Sequence, residues 1–165
     1  MTVLVQDLHH NQSARAALLC LNNDNARETS ALNADRFDRM IALARVAIYV
    51  EPSAAFLVAF AEGDAYDGGH FLWFRARFDK FLYVDRVVVA EKHRRRGIGR
   101  ALYEDLFTRA RRLGYSRITC EVNALPPNPG SDAFHAALGF VQVGAATIDD
   151  GAKLVRYLAR DERVR

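Results

Sequence analysis

Cysteine is nearly absent from this chain. Cys20 and Cys120 are the whole complement in 165 residues, and they form neither a CxxC pair nor any metal-ligand spacing. That argues against a disulfide framework and suits a reducing, cytoplasmic setting. Long apolar runs are missing too, so no membrane partner is expected. The opening residues MTVLVQDLHHNQS have no basic leader and no extended apolar stretch, and do not read as a signal peptide. His9, His10, His70 and His93 lack ligand spacing, so no metal is expected. Internal repeats and low-complexity segments are also missing. The net charge of +3 is smaller than a dedicated nucleic-acid binder carries, and its excess is local, in Arg94-Arg95-Arg96 and the tail ARDERVR.

The chain is 50% hydrophobic and 26% charged, the balance of one globular domain over residues 1–165 with a real core. Thr2 to Asp7 reads as a first strand. Ser13 is placed to cap a helix with Ala14, Ala17, Leu18 and Leu21 inward. The amide-rich LNNDNARETSALN then reads as a loop. Asn33 or Asp35 opens a second helix carrying Phe37, Met40, Ile41 and Ala44 on one face. Val46 to Val50 and Ala54 to Ala61 form a hairpin around the turn at Glu51-Pro52-Ser53. Gly63 to Lys80 has a loop-like first half and an aromatic second half. Phe81 to Ala90 is a strand, and Ile98 to Leu113 is a helix stopped by Gly114. Arg117 to Asn123 is a strand, and Ser131 caps a short helix ending at Leu138. Two last strands, Phe140 to Ala146 and Lys153 to Ala159, flank the turn at Asp149-Asp150-Gly151. The order makes a mixed α/β sheet.

The chemistry concentrates where the valine run of the central strand meets Arg94-Arg95-Arg96-Gly97-Ile98-Gly99 and a helix. The first turn of a helix offers unpaired N–H groups and a partial positive charge. Glycine lets that backbone come close to an anion, and the arginines add charge for a pyrophosphate. A Walker loop needs Gly-Lys-Ser/Thr, but Gly99 is followed by Arg100, Ala101 and Leu102. A dinucleotide fingerprint needs a third glycine where Leu102 stands, and no spacer such as EKHRRR after its strand.

The six-residue stretch from Arg94 to Gly99 resembles the R/Q-x-x-G-x-G/A signature of the GNAT superfamily of acetyl-CoA-dependent N-acyltransferases. Asn128 and the run from Ser131 to Phe140 resemble that family's later Asn…Gly-Phe segment. The likeness is best over residues 81–146. It implies a GNAT-like α/β (α+β) fold: a mixed, mostly antiparallel sheet with helices on both faces and a splayed pair of parallel strands. It also implies that the backbone of Val87, Val88 and Val89 pairs with the pantetheine arm of acetyl-CoA. Arg94, Arg95, Arg96, Gly97, Ile98, Gly99 and Arg100 would hold the pyrophosphate, and Asn128, with Ser131 beside it, the arm. Such a site fixes the acyl carbon near an amine without a covalent enzyme intermediate.

The family usually places tyrosine four residues before the Gly-Phe pair, with its phenol on the thioester sulfur; His135 stands there. Near a helix N-terminus it should be neutral and give one N–H to the sulfur, or else be a packed histidine that only shapes the pocket. Glu121, sharing a strand face with Asn123, is the candidate base; the alternative is a solvated or ion-paired glutamate. Asp85 is a second candidate, or the partner of Arg86 or Arg117. Phe71, Trp73 and Phe74 line an acceptor pocket or fill core, and Glu28 lies in the loop where family members often recognise the acceptor. Cys120 reads as a small buried hydrophobe. The expected function is acetyl transfer to a small-molecule or peptide amine, with a homodimer as the family's common assembly. An acyl-CoA sensor without turnover is the alternative, and nucleic-acid binding ranks third.

Overall fold

The computed structural model describes residues 2–162, so Arg163, Val164 and Arg165 of the basic tail lie outside the described residues. Among the described residues seven strands form one sheet: β1 (Val5–Asp7), β2 (Val46–Val50), β3 (Ala55–Ala61), β4 (Leu82–Val89), β5 (Arg117–Leu125), β6 (Val141–Ile148) and β7 (Lys153–Asp161). Their spatial order is β1-β2-β3-β4-β5-β7-β6. All neighbours run antiparallel except β4 and β5. The expected fold class is therefore the observed one. Among the described residues no helix is long and apolar enough to cross a membrane.

The helices are α1 (Arg15–Asp24), α2 (Ala26–Thr29), α3 (Ala34–Leu43), α4 (Gly69–Arg75), α5 (Ile98–Leu113) and α6 (Pro129–Ala137). Every residue of β2 and β3 is buried, because both sheet faces are covered there. On one face Leu102, Tyr103, Leu106, Phe107 and Ala110 of α5 pack on Ile48, Leu57 and Cys120. On the other, Leu18 of α1, Phe37 and Ile41 of α3, and Phe71 and Phe74 of α4 pack on Tyr49, Phe56 and Tyr83.

Three local expectations need correcting, and the segment 63–80 gains an assignment. Ser13 caps nothing; its hydroxyl donates to Asn11 Oδ1, a 3-10 turn spans Gln12–Ala14, and Ala17 is exposed. The amide-rich segment is mostly helical, because its own amides satisfy the helix ends: Asn25 Nδ2 donates to Leu21 O and Asn22 Nδ2 to Ser30 O. The aromatic half of 63–80 is the short helix α4, whose Phe71 and Phe74 are fully buried. Burial of each is worth about 1.5–3 kcal/mol, enough to hold two turns of modest propensity. Finally, Asn128 rather than Ser131 caps α6, accepting from Ser131 N at 3.2 Å.

Candidate active site between the parted strands

β4 and β5 pair only at Leu82–Ile118 and Tyr83–Thr119, and beyond that point they part. Each keeps its other neighbour, β3 or β7, almost to its end. The cause lies in β4. Val58 pairs with Arg86 and Ala59 with Val84, so Asp85 is an extra residue, a bulge that increases local twist and turns the strand away. The parting opens a cavity of about 770 Å³ that continues to the start of α5.

One end of this cavity is built for an anion. Gly97 sits in the left-handed region at φ 76 and precedes α5 without any side-chain cap. A helix leaves its first N–H groups without internal acceptors, here those of Ile98, Gly99 and Arg100. Arg95 and Arg96 have no carboxylate partner among the described residues, and Arg100 pairs only at the surface with Glu104. Arg94 is engaged differently: Nε donates to Val89 O at 3.2 Å and Nη2 to Asn25 Oδ1 at 2.9 Å. It therefore ties the α1–α2 corner to the end of β4. Val87, Val88 and Val89 line the cavity beside the parted edge, and Asn128, which caps α6, and Ser131 of α6 line it too.

At the apex, β5 alternates with period two. Cys120 and Val122 face α5, whereas Glu121 takes a hydrogen bond from the fully buried Tyr83, whose ring belongs to the opposite core. Tyr83 Oη lies 2.8 Å from Glu121 Oε2. Burial pushes the Glu121 carboxyl up to about 8, the Asp85 charge adds to it, and the Tyr83 hydrogen bond opposes it. Asp85 is tied down by Arg86 Nε at 2.7 Å and by the Tyr66 hydroxyl, and Arg86 Nη1 continues to Asn22 Oδ1 at 2.8 Å. Burial pushes the Cys120 thiol well up, so it stays protonated and unreactive.

His135 is buried in the last turn of α6, not the first, because the helix begins at Pro129. Its pKa is lowered by burial rather than by a helix N-terminus. Nδ1 lies 2.8 Å from Ser131 O and Nε2 2.8 Å from the Tyr103 hydroxyl, so the N–H expected on the sulfur is spent on a carbonyl. Glu28 and Asn123 do line the cavity, but Arg96 and Trp73 do not. Trp73 stacks on Tyr157 at 4.0 Å, where Gly144 leaves room for its ring. Tyr83 and Tyr103 were missed by sequence reasoning, although Tyr103 lies one turn before Phe107 on the buried face of α5.

A family description, Acetyltransferase (GNAT) family, matches residues 18–140. The chain belongs to this family. GNAT structures cover nearly all of it. The ribosomal-protein-S18-alanine N-acetyltransferase of Escherichia coli superposes with a TM-score of 0.71 at 16% identity, over 99% of this chain and 96% of that one. An aminoglycoside 6'-N-acetyltransferase solved with coenzyme A gives 0.74 at 16% identity, over 98% of each chain. The aminoglycoside 6'-N-acetyltransferase of Enterococcus faecium gives 0.72 at 16%, also over 98% of each. At these identities the likeness is one of fold. No curated protein matches the sequence.

Proposed function

We propose that this GNAT-family chain moves an acetyl group from acetyl-CoA to an amine by direct attack in a ternary complex. The observation that carries the reading is one cavity with an uncapped helix start at one end and a high-pKa carboxylate at the other. The N–H groups of Ile98, Gly99 and Arg100, with the Arg95 guanidinium, suit the diphosphate of the cosubstrate. The parted edge of β4 at Val87, Val88 and Val89 suits the amides of its pantetheine arm, as an added strand would. That arrangement puts the thioester at the apex. Glu121 takes the proton of the incoming ammonium from the side opposite α5. Direct attack needs no enzyme nucleophile, which agrees with the protonated Cys120. A sensor without turnover would have no use for a carboxylate poised near neutrality at the apex. Asn123, Glu28 and the α1–α2 corner are where a small-molecule or peptide amine would be recognised.

Thermal unfolding with acetyl-CoA, NAD or ATP present tests the reading. Acetyl-CoA at about a hundred times its Kd should add about 2.7 kcal/mol. For a chain of this length that raises Tm by roughly 5–10 °C. NAD and ATP should give much less, and thiol release should follow when a reactive amine is added. An equal shift with ATP, or none with acetyl-CoA, rejects the assignment.

A further inference from the structure

The bulge that parts the sheet also holds a buried guanidinium with one end unused. Asp85 and Arg86 are neighbours in β4, the side chain of each is only 8% exposed, and both line the cavity. Both Asp85 oxygens are taken: Oδ1 accepts from the Tyr66 hydroxyl and Oδ2 from Arg86 Nε at 2.7 Å. Arg86 Nη1 donates to Asn22 Oδ1 at 2.8 Å. Asn22 is fixed in turn, its Nδ2 donating to Asn23 Oδ1 and to Ser30 O, each at 3.0 Å. Arg86 Nη2 has no acceptor among the described residues. Nor is it walled in, since the fully enclosed polar atoms without a partner lie elsewhere, on Arg15, Arg156 and Glu162. The space that Arg86 borders is the cavity.

Stability is a poor reason for such a group. A buried ion pair costs so much desolvation that apolar residues in its place are often neutral or better. What the line from Tyr66 through Asp85 and Arg86 to Asn22 achieves is rigidity: the guanidinium is held from two sides and keeps donors to spare. A spare donor in a buried place calls for an acceptor brought by a ligand, and the planar fork of arginine matches a carboxylate. The diphosphate has its own donors at the start of α5, so the cosubstrate does not need Arg86.

Location decides which ligand brings it. Arg86 pairs across the sheet with Val58, which belongs to the same core as Tyr83, the partner of Glu121. Arg86 and Glu121 therefore share the face of the sheet opposite α5. Their charges also meet: burial is the main cause of the raised Glu121 pKa, the Asp85 charge adds to it, and the Arg86 charge opposes it. Resting on the acetyl-transfer reading, we propose that the acceptor is an amine that carries its own carboxylate, the class of the free amino acids, and that Arg86 selects it by binding that carboxylate while Glu121 faces the amine. Such a zwitterion brings no net charge into a buried site. A polyamine would set several positive charges beside Arg86, with Glu121 mostly protonated at pH 7. Glu28 also lines the cavity, but it is exposed on α2, where water and salt screen it.

The test is a matched panel: the common L-amino acids, their carboxamides and their decarboxylated amines, each with acetyl-CoA, read as thiol release per unprotonated amine. In the wild type at least one amino acid should exceed its own amide and amine by about a hundred-fold or more in kcat/KM, because the spare donors of Arg86 are left unmatched by the analogues. Arg86→Gln should bring that preference down to within a few-fold, with the Kd for acetyl-CoA unchanged. Arg86→Lys, which keeps the charge but not the fork, should retain part of it. A wild type that binds acetyl-CoA but releases thiol no faster with any amino acid than with its amide overturns this inference and leaves acetyl transfer standing. A preference that survives in Arg86→Gln overturns the role of Arg86. A wild type that does not bind acetyl-CoA overturns the acetyl-transfer reading itself, and this inference with it.

Discussion

Glu121→Gln is expected to lower kcat by about 10²- to 10⁴-fold, the span a positioned general base contributes. Glutamine keeps the shape and can still accept from Tyr83, but it takes no proton from an ammonium. The pH profile should change along with the rate. With a carboxyl near 8, only about one Glu121 in ten is ionised at pH 7, so wild-type kcat/KM should climb with pH through about 8. The acceptor's own ammonium titrates as well, so the variant, which keeps that step alone, is the reference profile. Stability gives an independent sign. Glu121 is ionised above about 4.5 in the unfolded chain but protonated up to about 8 in the folded one, so folding takes up a proton in that window. Wild-type stability should fall as pH rises from 4.5 towards 8, and Glu121→Gln should flatten that fall. Parallel pH–rate and pH–denaturation series decide the matter. A variant within three-fold of wild type in kcat, with an unaltered pH profile, removes Glu121 from the chemistry.

The legible parts of the site are those where local pattern and tertiary structure agree. A valine strand, an arginine-glycine turn and a 3.6-period helix follow one another in residues 81–113, and they are found there as β4 and α5. The alternation in β5 put Glu121 and Asn123 on one face, but not on a particular side of a gap. That side depends on the bulge at Asp85, which no glycine or proline marks. α4 was unreadable because two turns supply only Phe71 and Phe74 as a periodic pair, and burial rather than propensity holds them. Tyr103 escaped because its neighbour Leu102 completes the apolar stripe without it. Its partner His135 lies 32 residues further on. The role expected of His135 depended on a helix starting at Ser131, and the earlier start under Asn128 moves the histidine to the last turn.

Gly97→Val should weaken acetyl-CoA binding by more than about a hundred-fold, the equivalent of losing two charge-assisted hydrogen bonds. The chain should nevertheless fold. A Cβ at Gly97 meets no atom of the described residues within 4 Å, so none of them is displaced, and the added methyls occupy open space where the backbone meets the cavity. What the protein loses is the ease of a left-handed φ of 76. That strain costs about 1–3 kcal/mol, or roughly 2–12 °C in Tm. Gly99 would be a less informative target. Its Cβ would come within 3.3 Å of the Phe134 ring and 3.6 Å of Val89, so packing and binding would fail together. The two measurements, Tm without ligand and Kd for acetyl-CoA, separate the effects at Gly97. A folded variant that binds acetyl-CoA within a few-fold of wild type would mean that the start of α5 does not hold the diphosphate. A variant with wild-type Tm and no binding would mean that the glycine is there for the ligand alone.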